Sequence, residues 1–102
     1  MHLNISRFDL LSIQIVVFCA EAGSLTAGAK RANCSVSSGS QRIAALERAV
    51  GQKLFERDYR GLRLTEFGVL FVRHAREILA QFEQLKSNLA LAMADRNSLA
   101  LQ

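Results

Sequence analysis

The run Ser35-Val36-Ser37-Ser38-Gly39-Ser40-Gln41-Arg42-Ile43-Ala44-Ala45-Leu46-Glu47-Arg48-Ala49-Val50-Gly51 carries two patterns at once. Gly39, Ile43, Leu46 and Val50 recur at spacings of four, three and four, which is one stripe of an α-helix facing a core. Ser35 can cap that helix and Gly51 is placed to stop it. On the opposite side lie Ser37, Ser40, Gln41, Ala44 and Arg48, with Val36 near the tip and Arg42 at the margin. Ser37-Ser38-Gly39-Ser40 is poor in helix propensity, so capping, packing or a ligand must compensate. Small polar side chains at a helix start let the backbone approach a phosphate or a base edge, where hydroxyls and amides can hydrogen-bond.

Upstream, Asp9 can cap a first helix ending near Ala22, with Leu10, Ile13, Val17 and Ala20 on one stripe and Leu11, Ile15 and Phe18 on a second. A helix this apolar must be covered on more than one side. Gly23 ends it, and Ser24 can cap a short helix over Leu25–Ala32, in which Ala27, Gly28 and Ala29 permit close approach of a neighbour. Asn33 and Cys34 then leave only a brief turn before Ser35. Two short helices joined by a tight turn, the second with a small polar start, describe a helix-turn-helix.

Downstream, Leu54-Phe55 and Leu62-Arg63-Leu64 flank a turn-like segment from Arg57 to Gly61 and predict a small β-hairpin with a charged tip. Such a wing would place Arg57 or Arg60 against a DNA backbone or in a minor groove. Thr65 can cap a last long helix, and Glu66 suits its first turn. Along that helix Phe71, Ala75, Ile78, Phe82, Leu85, Leu89 and Ala92 alternate at spacings of four and three, a heptad stripe that calls for another helix. A second copy of the same helix is the economical partner, which predicts a homodimer through Phe71, Ala75, Ile78, Phe82, Leu85 and Leu89. His74 reads as a surface or structural residue of this helix, and His2 as part of a frayed terminus.

Composition agrees with a mostly α fold in one domain-sized chain of 102 residues, with no proline and six glycines. The net charge of +4 is unevenly placed: residues 1–50 carry +2, residues 51–76 carry +3 and residues 77–102 carry −1. The excess thus gathers around Arg57, Arg60 and Arg63, which suits a polyanion. The apolar stretch Leu10 to Ala22 is too short for a bilayer, which needs roughly 20 apolar residues, and no signal peptide is read. The expected location is cytoplasmic. Cys19 reads as a small core residue and Cys34 as a turn residue; neither has a partner at zinc-ligand spacing. No metal, cofactor or catalytic set is expected, so an enzyme is disfavoured. A protein-interaction module using the fold only for dimerisation is the competing class, and the clustered wing arginines argue against it.

The order of these motifs resembles the LysR-type transcriptional regulators. The resemblance rests on Ala20-Glu21-Ala22-Gly23-Ser24-Leu25-Thr26, Ser35 to Ser40, Ile43 with Leu46-Glu47, Gly51, Leu54-Phe55-Glu56-Arg57, and Leu64-Thr65-Glu66 with Gly68. It implies a winged helix-turn-helix reading the major groove of double-stranded DNA, a wing touching the minor groove, and a linker helix joining two heads on an interrupted palindrome. Within it Ser35 and Ser40 sit at the start of the recognition helix, and Thr26, Arg57 and Thr65 contact backbone or groove. Val36, Ser37, Gln41 and Arg42 complete the expected DNA-facing set. Val36 stands where the family commonly has Gln, Ser37 where it has Pro, and Gly39 where it has a larger apolar residue. The first departure removes a side chain suited to bidentate adenine recognition. The division expected is a DNA-binding domain over 1–65, a linker and dimerisation helix over 66–94, and a tail over 95–102. Members usually continue into an effector-binding domain. None is expected within these residues, so a small-molecule effector or a higher oligomer belongs only to a longer form.

Overall fold

The structure is a computed structural model describing residue 6 and residues 8–100, with side chains to Arg96. The reading of His2 lies outside the described residues. The element order is α1 (Leu10–Ala22), α2 (Leu25–Arg31), α3 (Val36–Val50), β1 (Phe55–Asp58), β2 (Gly61–Leu64) and α4 (Glu66–Ala100).

Local chemistry sets each helix end. Asp9 accepts from Ser12 N at 2.8 Å, Ser24 from Ala27 N at 3.2 Å, and Ser35 from Ser38 N at 3.0 Å. Gly23 and Gly51 close α1 and α3 in the left-handed region, at φ 66 and 71. The second helix stops one residue short of the expected Ala32, which serves instead as its C-cap. Asn33 follows at φ 57, a conformation its short polar side chain tolerates, and turns the chain into α3.

Helix α1 sits at the centre, in contact with α2, α3 and α4. Its Ile15, Val16 and Cys19 are fully buried together with Leu46 of α3 and Leu54 before the wing. Burial pushes the Cys19 thiol up, in keeping with an inert core residue. Helices α1 and α2 meet nearly backbone to backbone: a Cβ on Gly28 would lie 2.4 Å from Cys19 Sγ and 2.6 Å from its Cα. The predicted inward stripe of α3, Gly39, Ile43, Leu46 and Val50, is buried.

The hairpin pairs Phe55 with Leu64, Glu56 with Arg63, Arg57 with Leu62, and Asp58 with Gly61. The turn is shorter than the expected Arg57–Gly61, because Asp58 accepts from Arg60 N at 2.8 Å and confines it to Tyr59 and Arg60. Arg57 therefore belongs to β1. Helix α4 runs to Ala100, past residue 94 where the sequence reading ended it; residues 101–102 lie outside the description. Among the described residues no helix is long and apolar enough to cross a membrane.

Candidate nucleic-acid interface

The start of α3 presents Val36, Ser37 and Gln41 to solvent, with Ser40 half-buried beside them. Burying Gly39, Ile43 and Leu46 turns 37 and 41 outward and leaves 40 at the margin, whereas Val36 continues the inward stripe by period and is exposed at the first position of the helix. The Ser35 hydroxyl accepts from Ser38 N, so the cap already occupies part of its hydrogen-bonding capacity. Between α3 and the wing runs a groove lined by Ser40, Ala44, Glu47, Lys53, Arg57 and Arg63, among others.

Two of the three wing arginines share one carboxylate. Arg63 Nε lies 3.1 Å and Arg60 Nη2 3.7 Å from Asp58 Oδ2, while the Arg60 guanidinium also lies 5.4 Å from the centre of the Tyr59 ring. Arg57 has no ion-pair partner among the described residues. It lines the groove with Glu47 and Glu56 but is ion-paired to neither.

Two of the other expected contact residues, Arg42 and Thr65, also make hydrogen bonds within the chain. Arg42 does not stand free at the margin of α3: its Nη1 donates to Asp9 Oδ2 at 3.0 Å and to Ser12 Oγ at 3.4 Å, tying α3 to the start of α1. Hydrogen bonding from Ser12, with the positive charge of Arg42, holds the Asp9 carboxyl below the usual carboxylate range. Thr65 Oγ1 donates to Lys53 O at 2.7 Å and accepts from Gly68 N at 2.9 Å, so its hydroxyl joins the wing to α4. Thr26 is exposed near the start of α2.

Glu47 is a positioning residue whose role the spacing alone did not reveal. Its carboxylate is mostly covered, accepts from Leu54 N at 2.8 Å and Phe55 N at 3.4 Å, and lies 3.7 Å from Lys53 Nζ. Helix α3 thus holds the root of the wing. No sequence period links positions 47 and 54; only the shared motif order pointed to Glu47.

The heptad stripe of α4 divides. Ala75 is 2% exposed and belongs to the chain's own core beside Val72, and Phe71 packs near Phe8 with ring centres 6.4 Å apart. Within the single chain, therefore, Ala75 of the expected six-residue stripe is covered and Phe71 is half-buried. Past them the stripe comes free: Ile78, Leu85 and Leu89 are exposed, and Phe82 is half-buried under Lys86, whose Nζ lies 5.5 Å from the ring centre.

Residues 10–69 match the model of the bacterial regulatory helix-turn-helix protein, lysR family. The HTH-type transcriptional regulator TfdT of Cupriavidus pinatubonensis is 40% identical over 72 residues, which are 71% of this chain and 32% of that relative. ClcR of Pseudomonas putida is 37% identical over 71 residues, 70% of this chain and 24% of that regulator. The chain thus spans a third or less of the length of these curated relatives. Among solved structures, the CbnR DNA-binding domain in complex with DNA is similar at 32% identity and a TM-score of 0.73, over 82% of this chain and 97% of that one. The BenM DNA-binding domain on catB site 1 DNA is similar at 27% identity and a TM-score of 0.75, over 80% of this chain and 91% of that one. With three helices, a two-stranded wing and a long fourth helix in the same order, this chain belongs to the LysR family of bacterial regulatory helix-turn-helix proteins.

Proposed function

We propose that the chain binds double-stranded DNA in a sequence-specific manner, as a homodimer joined through α4, and regulates transcription. The observation that carries this reading is the solvent-facing start of α3, with Val36, Ser37 and Gln41, beside a wing whose Arg57 lacks an ion-pair partner among the described residues. Small polar groups at a helix start reach base edges, and a guanidinium with no ion pair is available to phosphate. Ser37, Ser40 and Gln41 probe bases; Arg57 and Arg60 hold backbone or minor groove; Thr26, Ser35 and Thr65 lie at the edges of the contact. The DNA-bound structures of the CbnR and BenM domains support DNA as the partner. The named relatives are transcriptional regulators, which supports regulation over catalysis.

The free part of the α4 stripe, Ile78, Phe82, Leu85 and Leu89, supports the dimer. Two heads then require two half-sites, hence an interrupted palindrome. The protein acts in the cytoplasm, with the DNA. Any small-molecule effector is read by a further domain of a longer form, which is also where assembly beyond the dimer belongs.

The test is a salt-titrated selection from pooled random duplexes, followed by sequencing of what is retained. Enrichment of a two-fold symmetric motif is the expected result. Uniform, salt-labile retention makes the chain a generic DNA clamp. No retention at low salt overturns the reading and leaves α4 as the working part of an interaction module.

A further inference from the structure

We infer that Val36 is a specificity-determining residue that reads the 5-methyl group of a thymine in the major groove; the inference rests on the DNA-binding reading above. Among the described residues, the large apolar side chains left exposed fall on α4, except Val36 and Tyr59. Tyr59 is at the wing tip beneath Arg60. Val36 is therefore the one such side chain on the helix-turn-helix itself, 42% exposed at the first position of α3. Its neighbours at the start of α3, Ser37, Ser40 and Gln41, are all polar.

A valine offers neither donor nor acceptor, so it cannot read the hydrogen-bond pattern of a base edge. The apolar group that distinguishes one base pair from the others in the major groove is the thymine methyl. Valine is also suited to the contact by its stiffness: in a helix it keeps essentially one χ1 rotamer, so little freedom is lost on docking. The Ser35 hydroxyl beside it accepts the cap hydrogen bond from Ser38 N, which fixes the backbone that carries Val36. The expected consequence is a thymine at one position of each half-site, recognised through its methyl.

The experiment uses the full chain and a duplex enriched from the random pool. Each thymine of one half-site is replaced in turn by deoxyuridine, which pairs identically and lacks only the methyl. The wild-type chain should lose about fourfold in affinity at one position, the value of burying one methyl-sized group. Val36→Ala should bind thymine and deoxyuridine alike at that position. Because Val36 is exposed, this variant leaves the core intact. Absence of any methyl-sensitive position overturns the inference, as does a sensitivity that survives unchanged in Val36→Ala. The two levels separate cleanly: failure to enrich any motif removes the DNA-binding reading itself, whereas an enriched motif indifferent to the methyl removes only this role for Val36.

Discussion

Glu47 on α3 accepts a 2.8 Å hydrogen bond from the backbone N–H of Leu54, a residue with no exposed surface. The bond fixes the wing relative to the helix it flanks, so the spacing between two DNA-facing elements depends on one carboxylate. Glu47→Ala leaves a covered N–H without its partner and should cost about 1–3 kcal/mol. Glu47→Gln keeps an acceptor and should cost less. Thermal unfolding of the three proteins checks the order; equal melting temperatures for wild type and Glu47→Ala would deny the bond its structural role.

Two helical glycines should respond oppositely to alanine. A Cβ at Gly39 would meet Ala29 Cβ at 3.4 Å, Leu25 Cδ1 at 3.7 Å and Cys34 Sγ at 3.8 Å, all ordinary contacts. Gly39→Ala should therefore stabilise by about 1 kcal/mol through helix propensity and the unfolded state, raising the melting temperature by about 4–8 °C. A Cβ at Gly68 would lie 2.1 Å from Leu54 O, a backbone atom that cannot swing aside. Gly68→Ala should destabilise by about 1–3 kcal/mol. A Gly39→Ala protein that melts lower than wild type would show that the space beneath α3 is smaller than this geometry gives.

Local signals made the element boundaries legible. Asp9, Ser24, Ser35 and Thr65 are caps, and Gly23 and Gly51 are stops, because each acts within about one turn of its own position. What depends on distant neighbours was not legible. A heptad period shows that Ala75 and Ile78 share a face, yet only the docking of α1 decides that the first is buried and the second exposed. Likewise Arg42 reads as a marginal surface residue until Asp9, 33 positions away, is placed 3.0 Å from it. For the candidate interface the outward face of α3 followed from its period, whereas the shared carboxylate at the wing tip and the Glu47 brace did not.

The Asp9–Arg42 pair gives a pH signature. The Asp9 carboxyl is held below the usual carboxylate range, chiefly by hydrogen bonding from Ser12. A depressed carboxylate contributes stability that is present above the unfolded value and lost as pH falls through the folded one. Stability should therefore drop as pH is lowered from about 4 downward. Asp9→Asn keeps a capping side chain but has no charge to titrate, so its acid limb should be shallower and should approach wild type at low pH. Parallel acid limbs in denaturant titrations would remove Asp9 as a contributor. The half-exposed side chain keeps the effect modest.

The wing arginines should contribute unequally to DNA binding. Each phosphate neutralised adds about 0.9 to the slope of log affinity against log salt. Arg57 makes no ion pair among the described residues, so Arg57→Ala should lower the slope by about one unit and weaken all sequences alike. Arg60 and Arg63 already share Asp58, so a phosphate must compete with that carboxylate for them. Arg60→Ala should therefore change the slope less than Arg57→Ala does. Conversely, Asp58→Asn releases both guanidinium groups and removes a like charge from the path of the backbone, so affinity should rise at low salt and the salt slope should steepen. On the proposed division of contacts, with the wing on the backbone and α3 on the bases, it should do so without moving the preferred sequence. Equal slopes for the Arg57 and Arg60 variants, with no gain from Asp58→Asn, would mean that phosphate binding takes no account of the ion pairs within the wing.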